Sequence, residues 1–234
     1  MRAAKIPRTV WMSAGLLLAY LLVAYLTLPE FWWLRDRKLA DITGGFVTHT
    51  PDGIAGDPIN VGLVGSKTEV LGAFAAAGWS PADELTWKSA IDIGWSVVLD
   101  RTYADAPVST LLYDGRPQAL AFEKRVGKSP DQRNHVRFWL VEPSTPVEPP
   151  LWLGAASFDR GVGISHDTGQ ITHHIGPDID AERDRVVADL EATGRVASVD
   201  VENGIGPTTD GRNGGGDRYF TDGKVSLLTL RSKP

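Results

Sequence analysis

Between Thr9 and Pro29 the chain runs for 21 residues without a charged side chain, TVWMSAGLLLAYLLVAYLTLP, and no other feature constrains its fold as strongly. As a helix rising about 1.5 Å per residue, this run matches a hydrocarbon core about 30 Å thick. Arg2, Lys5 and Arg8 precede it, and Trp11, Tyr25, Phe31, Trp32 and Trp33 lie where interfacial aromatics belong. The run exceeds the roughly 7–15 apolar residues of a signal peptide, and Leu-Pro-Glu-Phe-Trp-Trp follows it rather than an Ala-x-Ala-like cleavage site. The expectation is therefore a cytoplasmic N-terminus at 1–8 and an uncleaved single-pass transmembrane helix at 9–29. Arg35, Arg37 and Lys38 balance the three basic residues before the span, so only the N-terminal amine tips the count toward N-inside. That orientation puts the large C-terminal part on the extracytoplasmic side of the inner (cytoplasmic) membrane.

Residues 30–58 read as a juxtamembrane helix and a flexible linker. Phe31–Ile42 prolongs the helix, and TGGFVTHTPDGIAGDP (43–58) has four Gly, two Pro and no periodicity, leaving His49 solvated. The domain proper is expected over 59–234. Ile59–Val64 reads as a strand, and Ser66-Lys-Thr-Glu69 is a capping box for a helix closed by Gly78. Ser80-Pro81 starts a second helix, with Pro at its first position. Strands follow at 110–113 and 118–126 around Asp114-Gly115-Arg116-Pro117, then at 134–141 and 151–158. Asp180–Thr193 is a late helix, Val196–Val201 a strand, Asn203–Asp217 a mobile Gly-rich loop, and 218–230 a last hairpin around Asp222-Gly223. The fold class is α+β: one transmembrane helix, then a mostly antiparallel sheet domain with about three helices.

Chemistry is bounded next. The chain has no Cys, which removes disulfides, thiolate metal sites and cysteine nucleophiles. Net charge is −5, and because residues 1–41 hold six Lys/Arg against three Asp/Glu, the remainder stands at −8. An acidic domain of this kind excludes nucleic acid as a partner. Gly62-Leu-Val-Gly65-Ser-Lys-Thr68 has the wrong spacing for a phosphate loop, and the single Asp210–Asp217 glycine cluster is not a calcium repeat.

Histidines concentrate in one stretch. His166, His173 and His174 flank a turn at Asp167-Thr-Gly169, with Asp178 and Asp180 close behind in sequence. If Thr168-Gly169 centres a two-residue turn, His166 and His173 share a sheet face as diagonal neighbours, while a three-residue turn brings His174 there instead. The first register, with Asp178 or Asp180, offers two nitrogens and an oxygen to a divalent metal such as zinc. Either histidine is equally a candidate for acid/base catalysis. The plainer reading is two half-buried strand histidines and a carboxylate capping a helix. His135 and Arg137 alternate with apolar residues on one strand, where they form either a candidate anion-binding face or an ordinary solvent-facing strand. Asp159-Arg160, five residues, His166 is similar to the last signature of the type 2 phosphatidic acid phosphatases, which makes Arg160 a third anion candidate. Their other two signatures are absent, so no role is carried over.

PVSTLLYDGRPQALAFEK (107–124), RNHVRFWL (133–140), LWLGAASFDRGVGIS (151–165) and ITHHIGPDIDAERD (171–184) together resemble the LssY C-terminal domain family, over roughly 57–195. The resemblance implies a bacterial envelope setting and brings no activity or catalytic residues with it. The functional expectation is a membrane-anchored binding or assembly module, with an envelope lipid or membrane protein as partner. The alternative is a phosphatase-type hydrolase of phosphate-bearing lipid or glycolipid.

Overall fold

The computed structural model describes residues 7–43, 46–82, 110–127, 132–141, 149–204 and 210–231, with the backbone alone for 36–43. Its first element is one long helix: α1 (Arg8–Leu22), a π-helical turn (Val23–Thr27) and α2 (Leu28–Thr43). Pro29 has no N–H to offer the carbonyl four residues back, so the helix widens into the π turn just before it. Arg8–Arg35 is long and apolar enough to cross a membrane, by length and composition, and it is nearly all exposed.

The domain then runs β1 (Val47–His49), β2 (Ala55–Pro58), β3 (Val61–Val64), α3 (Lys67–Ala76) and β4 (Ser80–Pro81). After the undescribed segment come β5 (Leu112–Tyr113), β6 (Arg116–Pro117), β7 (Leu120–Arg125), β8 (Arg133–Val141), β9 (Leu151–Ile164) and β10 (Ile171–Ile175). The chain closes with α4 (Ile179–Glu191), β11 (Val196–Asn203), β12 (Asp210–Arg212), β13 (Arg218–Phe220) and β14 (Lys224–Leu230). The main sheet has the order β11-β14-β3-β9-β8-β7-β4, with β10 paired to the far half of β9. Every pairing in it is antiparallel except β14 with β3. The fold class is thus α+β, as the sequence implies.

Local signals explain the helix and turn ends. Ser66 and Glu69 close both halves of the capping box. Asp114 (φ 51°) and Gly115 (φ 70°) form the two-residue left-handed turn that Asp-Gly favours, tighter than the four-residue turn the sequence suggests. Asp178 caps α4 by accepting from the Ala181 N–H. One face of the sheet packs on α3 and α4: Phe74 stacks on Phe122 (centroids 4.0 Å apart) beside Phe138, Val136, Val186 and Leu190, all but fully buried. Each such side chain contributes about 1.5–3 kcal/mol.

Several expectations are corrected. Residues 46–58 are not a free tether: β1 and β2 pair with each other and, through β5 and β6, form a second, four-stranded sheet. Thr48 donates to the Asp57 carbonyl at 2.7 Å, and both residues are buried. A polar hairpin without apolar alternation gives no periodic signal, hence the misreading. Ser80–Pro81 pairs with β7 as a strand rather than opening a helix; the rest of that expected helix, and most of the Pro-rich loop after β8, lie outside the described residues. β14 pairs with β11 and β3 rather than with β13, because its alternating apolar residues fill the core beside Leu63. β13 pairs instead with β12 in the Gly-rich segment, where Asn213 closes a turn by accepting from the Gly215 and Asp217 N–H groups.

Candidate functional site

The second face of the main sheet carries the polar residues. Arg133, His135 and Arg137 project from it by the two-residue period of β8, opposite Asp159, Ser157 and Ala155 of β9. This face is not open to solvent, because the small sheet and the 213–217 turn cover it. All three side chains are therefore buried, along with Asp57, Glu123, Ser157 and Asp159. The solvent-facing strand is thereby corrected.

Burial forces these charges to pair. Arg133 reaches Glu123 at 2.7 Å and Asp159 at 3.0 Å, and its other amine lies 3.3 Å from His173 Nε2. Arg137 donates to Asp57 at 3.3 Å and to His135 Nε2 at 2.6 Å. Because a guanidinium only donates, His135 Nε2 must be the acceptor, which puts the ring proton on Nδ1, 3.0 Å from Asp159 Oδ1. Asn213 donates to the other oxygen of Asp57 at 3.4 Å. Burial alone would raise the Asp159 pKa, but His135, His173 and Arg133 overrule it and hold the carboxyl well below its usual range. Burial lowers His173, opposed by Asp159 and assisted by Arg133, His135 and Arg137. Burial likewise lowers Arg137, against the pull of Asp57 and Asp159.

The network floors a cavity of about 250 Å³, whose lining includes Asp57, His135, Arg137, Asp159, His173, Asn213 and the buried Thr168, with the half-exposed Gln170 and Thr172 on its outer side. Ser157, His135 and Asp159 have the contacts of a hydrolase triad, with Ser157 Oγ 2.9 Å from His135 Nε2. Access decides against that reading. Ser157 is fully buried and does not line the cavity, Arg137 already holds the Nε2 lone pair, and the Ser157 hydroxyl donates to Asp57 at 3.1 Å.

The histidines divide between two places. Ile164 pairs with Ile171 and Val162 with His173, so the turn is the six residues 165–170 rather than Thr168-Gly169 alone. His173 faces inward to Arg133 and the cavity. His174 instead joins His166, with ring centroids 4.9 Å apart. Both converge on the buried Asp217: His174 Nδ1 lies 2.9 Å and His166 Nδ1 3.6 Å from its Oδ1. Among the described residues, this is the one histidine–carboxylate group close enough to share an ion. The structure does not add Asp178 or Asp180 to it. Asp178 is the cap of α4, while Asp180 accepts from the Thr221 hydroxyl and the Asp222 N–H. Of the anion candidates, His135 and Arg137 come together, with the guanidinium committed to Asp57 and His135, and Arg160 stands apart, half exposed, 3.5 Å from Asp217.

Sequence reasoning missed Asp57, Glu123, Asn213 and Asp217 as site residues. Asp57 and Asn213 meet across 156 positions, and no local pattern announces such a contact.

The fold and site define an α+β domain built around an internal ion network and joined to one long apolar helix. The family model described as LssY C-terminus matches residues 37–225, so the chain belongs to the LssY C-terminal family. No curated protein and no solved structure matches it.

Proposed function

We propose that this chain is a single-pass membrane protein of the bacterial envelope whose domain is an extracytoplasmic binding or assembly module, with the β8–β9–β10 cavity as its receptor. One observation carries this reading: Asp57, Asp159, Arg137, His135 and His173 line a cavity large enough for a small polar group, with the buried Arg133–Glu123 pair behind them. An apolar floor would hold the fold as well or better, since buried ion networks are a poor source of stability. With Asp57 and Asp159 against the single guanidinium of Arg137 in its lining, and the Thr172 hydroxyl and Gln170 amide beside them, the site suits a hydroxylated, uncharged headgroup better than a bare phosphate. The test is mass spectrometry of the full chain isolated in native lipid. An envelope compound retained by the wild type and lost from Gln170→Trp, which plugs the mouth, is the expected result; identical bound species in both would reject the reading.

A second reading, a metal-assisted hydrolase, draws on His166, His174 and Asp217. Each imidazole lies near the Asp217 oxygen at the spacing of neighbouring donors on a tetrahedral zinc ion, a little over 3 Å for bonds of about 2.0–2.1 Å, and all three ligand atoms lie within 4.8 Å of one another. Two nitrogens and one oxygen leave a further position open, and a bound ion would supply Lewis acidity toward a phosphoryl oxygen. Arg160 beside the same carboxylate works against a cation. Zinc or manganese should raise the melting temperature of the wild type and leave His174→Ala unmoved; equal responses would remove this reading.

A further inference from the structure

We propose that the β9–β10 hairpin is itself a lipid-contacting element: its turn and the pair Ile164/Ile171 lie within the leaflet at the C-terminal end of the apolar helix. This rests on the reading of that helix as a membrane span.

The seat of the turn on the helix is well defined. The Tyr20 hydroxyl donates to the Gly169 carbonyl at 2.6 Å, and Trp32 Nε1 donates to the Asp167 carbonyl at 2.8 Å. Between them Ala24 is 2% exposed, flanked by exposed helix residues on either side, and a Cβ placed on Gly169 would lie 3.7 Å from the Ala24 methyl. Depth follows from the helix. Charge returns at Glu30, and Ala24 lies five residues before Pro29, so at about 1.5 Å per residue Gly169 sits about 8 Å inside the apolar zone.

A turn at that depth must satisfy its own backbone, because lipid offers no partners. In this one every N–H from Ser165 to Gln170 has an acceptor. Ser165 N–H donates to the Gln170 carbonyl, His166 N–H to the Gly215 carbonyl and Gly169 N–H to the Ser165 carbonyl. Asp167 and Thr168 N–H groups donate to Ser165 Oγ, and Gln170 N–H to Thr168 Oγ1. The charge in the turn is neutralised as well. Asp167 pairs with Arg212 at 2.9 Å, and that guanidinium stacks 3.8 Å over the Trp32 ring. Water would have made most of this closure unnecessary.

The outer surface agrees. Ile164 and Ile171 are directly opposite in the ladder and 61% and 71% exposed, an apolar pair on an acidic domain at the base of the seated turn. A bilayer continuous with the span is the occupant that covers both.

The chain has no Cys, so single-cysteine spin labels can be placed at will. The full chain is reconstituted into phosphatidylcholine–phosphatidylglycerol vesicles with a label at Leu17→Cys, Ile171→Cys, Ile164→Cys or Val201→Cys. Val201 is exposed on β11 and serves as the aqueous reference. The expected result is an oxygen-to-nickel-chelate accessibility ratio at 164 and 171 several-fold above that at 201 and below that at 17, which lies about 18 Å inside the same zone. A lipid-like ratio at 17 with water-like ratios at 164 and 171 overturns the proposal and leaves the span intact. A water-like ratio at 17 overturns the span and the proposal together.

Discussion

Glu182 sits in the first turn of α4, buried against the sheet, with Oε1 lacking a hydrogen-bond partner among the described residues. Burial pushes its carboxyl up to about 8; Arg185, 3.8 Å away, opposes the shift, and Asp189 and Asp159 add to it. The sign follows from linkage. The folded chain keeps this proton to a pH near 8, whereas the unfolded chain releases it near the ordinary glutamate value of 4.5. Below that lower value both states are protonated and the group contributes nothing. As pH rises from there to about 8, stability falls by about 1.4 kcal/mol per unit, reaching a loss of about 4 kcal/mol. Glu182→Gln keeps the shape and removes the titration. Thermal unfolding of the full chain in detergent micelles, followed by fluorescence of its eight tryptophans, measures the difference between wild type and variant. The variant should melt within a degree or two of wild type at pH 5 and roughly 10 °C higher at pH 8, given about 2–4 °C per kcal/mol for a domain of this size. A constant offset between the two from pH 5 to pH 8 would refute the argument.

Further expectations concern the network and the helix seat. Asp159→Asn strips Arg133 and His135 of their shared partner and should destabilise by about 3–5 kcal/mol in denaturant titration. An effect under about 1 kcal/mol would mean that water reaches the network. Burial lowers the His173 pKa in the fold, while the unfolded chain takes up a proton near the ordinary histidine value of 6.5, so its share of stability is present above that value and is lost as pH falls below it. His173→Gln should flatten the acid limb of the stability curve, and an unchanged limb would contradict the burial. Tyr20→Phe removes the hydroxyl that holds Gly169 and should cost about 1 kcal/mol, read as a melting shift of a few degrees. No shift would mean that the helix and hairpin are not joined there.

Much of the frame was legible because it is local. The apolar run, the Ser66–Glu69 capping box, the Asp-Gly turn, the Asp178 cap and the alternation along β8 each follow from residues within a few positions of one another. The site was legible only in part. His135, Arg137 and His173 were visible as candidates on their strands, but what surrounds them comes from afar: Asp57 from a stretch without periodicity, and Asn213 from a glycine-rich turn. The covering sheet turned a face expected in water into an interior. The hairpin register hung on Ser165, whose hydroxyl accepts two N–H groups and closes a turn longer than a dipeptide signal can announce. That choice sent His173 inward and His174 to His166.

The cavity above Asp57, Arg137 and Asp159 is the ligand site we propose for this domain. The most direct measurement is the structure of the full chain isolated in its native lipid and determined with its bound molecules retained. The account predicts density for a polar headgroup within hydrogen-bond distance of His173 and Asn213; a cavity holding only water, with bound molecules elsewhere on the domain, would contradict it.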